Sequence, residues 1–163
     1  MAERTPAEIL RGAMSEENVE TVRRFYEALE RAVIAYWNPR SIADALSDDD
    51  LDPDAMATFG LLAPDIVWSA GPFGTYQGRV AMASAWDDLL EVADDYRLSV
   101  RELHDCADGR VFTAIDRTIK ATASGIHTTI PVFAVIAVRD GLIAAIDEYV
   151  DRAEALEAAG LRE

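Results

Sequence analysis

Between Tyr96 and Val150 the chain is interrupted three times by a small polar residue followed by glycine, at Asp108-Gly109, Ser124-Gly125 and Asp140-Gly141. Such dipeptides tolerate the positive φ that hairpin turns demand, and the stretches between them read as strands. A chain punctuated in this way is constrained to a meander of four long antiparallel strands. One face of that sheet must be covered, and the residues on either side of it have to supply the cover.

Upstream, Val19, Val22, Phe25, Tyr26, Leu29 and Val33 recur at steps of three and four, the period of an amphipathic helix. Ser15 suits its N-cap, with Glu16 and Glu17 against the positive end of the helix dipole. Residues 1–14 then read as an N-terminal extension and 15–163 as one domain. The polar stretch from Tyr36 to Asp52 brackets Ile42 to Leu46, enough for one or two helical turns. Pro53 opens a further helix through Met56 and Phe59 to Leu62, Pro64 ends it, and Ile66, Val67 and Trp68 begin a strand. Gly71-Pro72-Phe73-Gly74 must turn. Met82, Ala85, Trp86, Leu89 and Leu90 stripe a helix over residues 80–92, and Asp151 to Ala159 forms a last helix stopped by Gly160. The expected class is α+β, with helices against one face of a curled antiparallel sheet.

Charge narrows the partners. Fifteen basic against thirty acidic side chains leave a net charge of −15, a field that repels phosphate backbones and anionic lipid heads, so neither nucleic acid nor membrane is an expected partner. No apolar run approaches the roughly 20 residues that cross a bilayer, and the first residues lack a signal peptide's apolar stretch, which points to a cytoplasmic protein. Cys106 has no second cysteine to pair with and reads as a structural or merely exposed thiol. His104 has no histidine at metal-ligand spacing, so no metal is predicted. The Gly-Pro-Phe-Gly turn lacks the following lysine of a phosphate loop, and no cofactor is predicted. Asp87, Asp88, Asp94 and Asp95 read as a solvated face.

Two ionisable side chains stand out against this background. Strict alternation puts Glu148 on an apolar row with Ala144, Ile146 and Val150, and Arg117 on another with Val111, Thr113, Ile115 and Ile119. His127 falls on the opposite face of its strand. Whether the two rows meet depends on the hairpins, because a loop longer by one residue reverses which parities face together.

Three stretches resemble a known family: SEENVETVRRFYEAL, DIVWSAGPFGTYQGRVAMASAW and VRDGLIAAIDEYVDRAEALEAAGL. They are similar to the SnoaL-like branch of the nuclear transport factor two superfamily, over roughly residues 15–161. The resemblance implies a cone-shaped α+β fold with the curved sheet wrapped around N-terminal helices and enclosing a pocket. It implies that Arg117 and Glu148 stand at the pocket carboxylate positions of limonene epoxide hydrolase, with Ile130 and Val132 in its apolar lining. The expected wall also takes in Tyr26, Leu29, Trp68, Trp86, Ile115, Ala134, Ile146 and Val150. Residues 33–52 are longer than the matching turn of most relatives; with Tyr36 and Trp37 they read either as a cap over the mouth or as a plain loop.

The resemblance also marks departures. The positions that do the chemistry in ketosteroid isomerase correspond to Phe25, Ser69 or Ala70, and Ala134, which excludes that isomerase mechanism. Those of limonene epoxide hydrolase correspond to Trp68, Ala70, Glu148, Ile115 and Arg117, which keep one carboxylate. Glu148 as proton carrier and Arg117 as its electrostatic partner point to a cofactor-free acid–base enzyme, of isomerase, cyclase, dehydratase or hydrolase type, for a small, mostly apolar organic molecule. The alternatives are a buried structural ion pair in a non-catalytic binding protein for an apolar ligand, or a dimerisation module pairing through the convex sheet face that carries Asp116, His127, Phe133 and Tyr149.

Overall fold

The computed structural model describes residues 5–35, 41–47 and 53–162. In chain order the elements are α1 (Pro6–Ala35), α2 (Ile42–Ser47), α3 (Pro53–Gly60), β1 (Leu62–Ser69), β2 (Thr75–Gln77), α4 (Arg79–Glu91), β3 (Ala93–Asp105), β4 (Val111–Ala121), β5 (His127–Arg139), β6 (Leu142–Tyr149) and α5 (Arg152–Ala159). Tyr36, Trp37 and the run Asp48 to Asp50, read either as a cap over the mouth or as a plain loop, lie outside the described residues. Among the described residues no helix is long and apolar enough to cross a membrane.

The meander forms as the turn dipeptides dictate, β3 through β6 each pairing antiparallel with the next. Its tightest turn places Asp140 at φ 54° and Gly141 at φ 74° between the paired Arg139 and Leu142. Two consecutive residues at positive φ give the hairpin the twist of its strands.

The sheet is mixed, however, rather than wholly antiparallel. Its order is β2-β1-β6-β5-β4-β3, and β1 runs parallel to β6, with Trp68 opposite Ile146 and Ser69 opposite Asp147. The far edge of the meander is the free place for a strand delivered by the N-terminal helices, and the direction of entry from α3 makes the pair parallel. β1 also starts earlier than expected, at Leu62, with Pro64 inside it. The β1–β6 register is irregular between Leu62 and Val67, a place where a residue without an N–H is tolerated.

The first helix starts at Pro6, not at Ser15, so residues 6–14 of the expected N-terminal extension are helical and continuous with the rest of α1. Thr5 and Glu8 form a capping box: Glu8 N–H donates to Thr5 Oγ1 (3.3 Å), and Thr5 N–H donates to the Glu8 carboxylate (2.7 Å). That bond holds the exposed Glu8 carboxyl below its ordinary range. Asn18 ties the helix to the β3–β4 turn by donating from Nδ2 to the Gly109 carbonyl at 2.7 Å.

Two cores lie on the two faces of the sheet. The larger packs Val22, Phe25 and Leu29 of α1 with Phe59, Trp86, Ile66, Ile136, Ile143 and Ile146, and this face is the inner one. The smaller packs Cys106, Phe112, Ala114 and Val135 against Ala155, Leu156 and Ala159 of α5 on the outer face. Strict alternation had placed Ile143 on the outer face and Ala144 on the inner. The register shift opposite Ala137 and Val138 leaves Ala144 as the extra residue of a bulge, which resets the parity and turns Ile143 inward with Ile146.

Asp87 is not simply solvated. From α4 it accepts hydrogen bonds from Ser41 Oγ (2.8 Å) and from the backbone N–H groups of Ile42 (2.7 Å) and Ala43 (3.0 Å), capping α2 from outside its own chain segment. Replacing it by alanine is expected to lower the unfolding free energy by about 1–2 kcal/mol, the usual value of a lost cap. Urea denaturation checks this, and an unchanged midpoint would show that α2 holds its place without the cap.

Candidate active site

The inner rows of β4 and β6 do meet. Arg117 pairs in register with Ile130 of β5 and Glu148 with Ala134, an offset of two inner-face positions that the length of an arginine spans. Arg117 Nη2 donates to Glu148 Oε1 at 2.9 Å, and the two side chains are only 12% and 13% exposed. Burial works against the charge on the guanidinium, yet the oxygens of Tyr96 and Glu148 outweigh it and hold the Arg117 pKa above its ordinary value. Arg117 Nε and Tyr96 Oη are both buried without a hydrogen-bond partner among the described residues. The Arg117 charge lies near enough to Tyr96 to favour its ionised form, though burial outweighs it.

The pair sits in the wall of a cavity of about 370 Å³. Trp68 of β1, Ile119 of β4, and Ile130 and Val132 of β5 form its apolar sides, with Ala85 and Leu89 of α4. Ala70, Gly71, Pro72, Phe73 and Tyr76 close another side, and Asp88, Tyr149 and Val150 complete the lining. Trp68 is held by its neighbours, stacked on Trp86 at 6.0 Å and tilted against Tyr76 at 5.3 Å. Gly71 adopts φ 57°, and a Cβ there would lie 3.5 Å from the Glu148 carbonyl, so the turn rests directly on the end of β6.

Of the expected wall, Trp68, Ile130, Val132 and Val150 line this cavity with Arg117 and Glu148. Ile115, Ala134 and Ile146 do not; they are 1–3% exposed and packed in the inner core, because their positions lie deeper along the same rows. Leu29 and Trp86 border a separate apolar crevice of about 20 Å³ beside Phe25 and Phe59. Tyr26 is also core, its hydroxyl 3.2 Å from Thr113 Oγ1.

Asp88, Tyr76, Leu89 and Tyr149 were not anticipated as lining. Ile119 was readable, since it shares the Arg117 row. The rest depend on how the Gly71–Phe73 turn and the three-residue β2 fold back, and a strand that short carries no period to read.

The remaining candidates lie elsewhere. His104 is on the exposed side of β3, 3.0 Å from Glu102, and His127 is exposed at the start of β5. Among the described residues no three His, Cys, Asp or Glu side chains converge as a metal site. Cys106 is 1% exposed, and burial followed by the nearby Asp108 charge pushes its thiol pKa up, away from a reactive thiolate. On the outer face, Asp116 is paired with Arg101 at 2.9 Å, while Phe133 and Tyr149 pack against the core that α5 completes. Part of the face expected to pair with a second copy is therefore covered by the chain's own last helix.

Burial pushes the Tyr26 hydroxyl up to about 12 and raises Tyr96 as well. A folded-state pKa above the unfolded value of about 10 means the native state holds the proton more tightly, so this stability is complete below about pH 10 and is lost as pH rises through about 12. Tyrosinate absorbance should rise in two stages, the later one coinciding with unfolding. A single stage near the ordinary tyrosine value in a still-folded protein would contradict the burial of these hydroxyls.

A family model described as the SnoaL-like domain matches residues 22–146. Solved structures share the fold at low identity. An NTF2-like protein of unknown function from Burkholderia pseudomallei is 21% identical, with 86% of this chain and 95% of that one covered and a TM-score of 0.59. A proposed polyketide cyclase from Xanthomonas campestris is 20% identical, with 90% and 98% covered and a TM-score of 0.60. An LEH-like epoxide hydrolase from M. tuberculosis is 18% identical, with 88% and 90% covered and a TM-score of 0.57. Among curated proteins none matches.

Proposed function

This chain belongs to the SnoaL-like family, and on that premise we propose that it is a cofactor-free acid–base enzyme acting on a small, mostly apolar organic molecule. The observation that carries this reading is the Arg117–Glu148 pair, nearly removed from water in the wall of an otherwise apolar cavity. Arg117 engages Oε1 of Glu148, and among the described residues no hydrogen bond reaches Oε2. That oxygen is the group available to take a proton from a bound molecule and return it at a neighbouring atom. The guanidinium fixes the carboxylate in place and offsets negative charge that develops beside it. Isomerisation, cyclisation, dehydration and hydrolysis all need such a proton carrier, and a polyketide cyclase and an epoxide hydrolase among the similar folds support a cavity for small organic molecules.

A second reading is favoured by the lining itself. Beside the ion pair the deep lining is Ala70, Ile119, Ile130 and Val132, which supply no acid or base, and the Asp88 carboxylate is at the exposed edge, as in a protein that only binds a largely apolar ligand. Metabolites that raise the melting temperature, followed by product analysis, separate the two. In Glu148→Gln the proposed enzyme should lose turnover by about 10² to 10⁴, the usual worth of a positioned acid–base group, when assayed well below the lowered melting temperature that an unpaired, buried Arg117 brings. Turnover retained in that variant, or stabilising ligands that no protein form converts, would overturn the catalytic reading.

A further inference from the structure

The charges and rings around the cavity say more about its occupant than its apolar character does. Among the described residues three charged side chains line it: the Arg117 guanidinium, already committed to Glu148 at 2.9 Å, and the carboxylates of Glu148 and Asp88. The described lining is thus negative by one charge. A bound monocation brings it to neutrality, a neutral molecule leaves the excess in place, and an anion adds to it. Aromatic side chains form part of the wall, Trp68 and Tyr76 inside and Phe73 at its exposed rim. Aromatic faces attract cations through their quadrupoles, most strongly where water is excluded. The net charge of −15 acts in the same sense at long range, raising the local concentration of cations and repelling anions at the mouth.

We infer that the ligand of this cavity is an organic cation, a protonated or quaternary amine on an apolar skeleton, held by Glu148 and Asp88 among the aromatic side chains. This rests on the reading of the cavity as a small-molecule site and specifies its substrate class. Asp88 becomes a specificity-determining residue at the exposed edge of the site, and Glu148 serves both charge recognition and proton transfer. The cationic centre approaches through Oε2 of Glu148, the carboxylate oxygen that no hydrogen bond reaches among the described residues.

The test uses three probes with one skeleton: (2-phenylethyl)trimethylammonium, its neutral carbon isostere (3,3-dimethylbutyl)benzene, and 4-phenylbutanoate. Binding to the full chain is followed by tryptophan fluorescence, since Trp68 lines the cavity and stacks on Trp86. The ammonium probe should bind about tenfold or more tighter than the neutral isostere, and the carboxylate weakest of the three. Asp88→Asn should weaken the ammonium probe about threefold, in keeping with an exposed charge, and leave the isostere unaffected. Equal or tighter binding of the isostere or of the carboxylate, or binding of none of the three, would overturn the assignment. The outcome is independent of turnover: ammonium preference in a protein that converts nothing removes the catalytic reading and leaves this one, and Glu148-dependent turnover of a neutral compound with no cation preference does the reverse.

Discussion

A charged group can leave water only if another charge and enough hydrogen bonds go with it, and the site depends on that constraint. Arg117 and Glu148 stand on strands separated by β5, in rows that are otherwise uncharged. Neither could point inward alone without a cost of several kcal/mol. Their meeting therefore requires the registers of both the β4–β5 and β5–β6 hairpins to be right together, since a one-residue slip in either would send one headgroup to the outer face. The two-residue Asp140-Gly141 turn and the bulge at Ala144 set that register on the β6 side.

The rest of the molecule supports the inner face. α1 and α3 pack over the inner core, and Trp86 of α4 holds Trp68 from behind, stacked on it at 6.0 Å and edge-on to Tyr96 at 5.2 Å. α5 does the same for the outer face, fixed at its start by Asp151, whose side chain accepts from Glu154 N–H at 3.0 Å. Arg152 then reaches back to Glu102 and lies over the rings of Phe112 and Phe133. A single sheet thus carries a core on each side, and the cavity lies on the inner face between the strands, α4 and the Gly71–Phe73 turn.

Much of this was legible in the residues. Three turn dipeptides specified the meander, and period-two rows singled out Arg117 and Glu148 before any partner was known. What was not legible has physical causes. The start of α1 was missed because the capping box at Thr5 and Glu8 lies before the apolar stripe that marks a helix. Ile143 was misassigned because a bulge shifts parity without leaving a sequence signal as strong as glycine or proline. The cap that Asp87 provides to α2 joins residues more than forty positions apart, which no local pattern announces. The resemblance supplied the meeting of the two charges, whereas the depth of Ile115, Ala134 and Ile146 along their rows emerged only when the helices were in place.

The account stands on the Arg117–Glu148 interaction being a buried one. A double-mutant cycle with Arg117→Met, Glu148→Gln and the combined variant, read by urea unfolding, measures it directly. A coupling of about 2 kcal/mol or more is expected for a desolvated pair. A coupling below about 0.5 kcal/mol, the range of solvent-exposed ion pairs, would contradict the account.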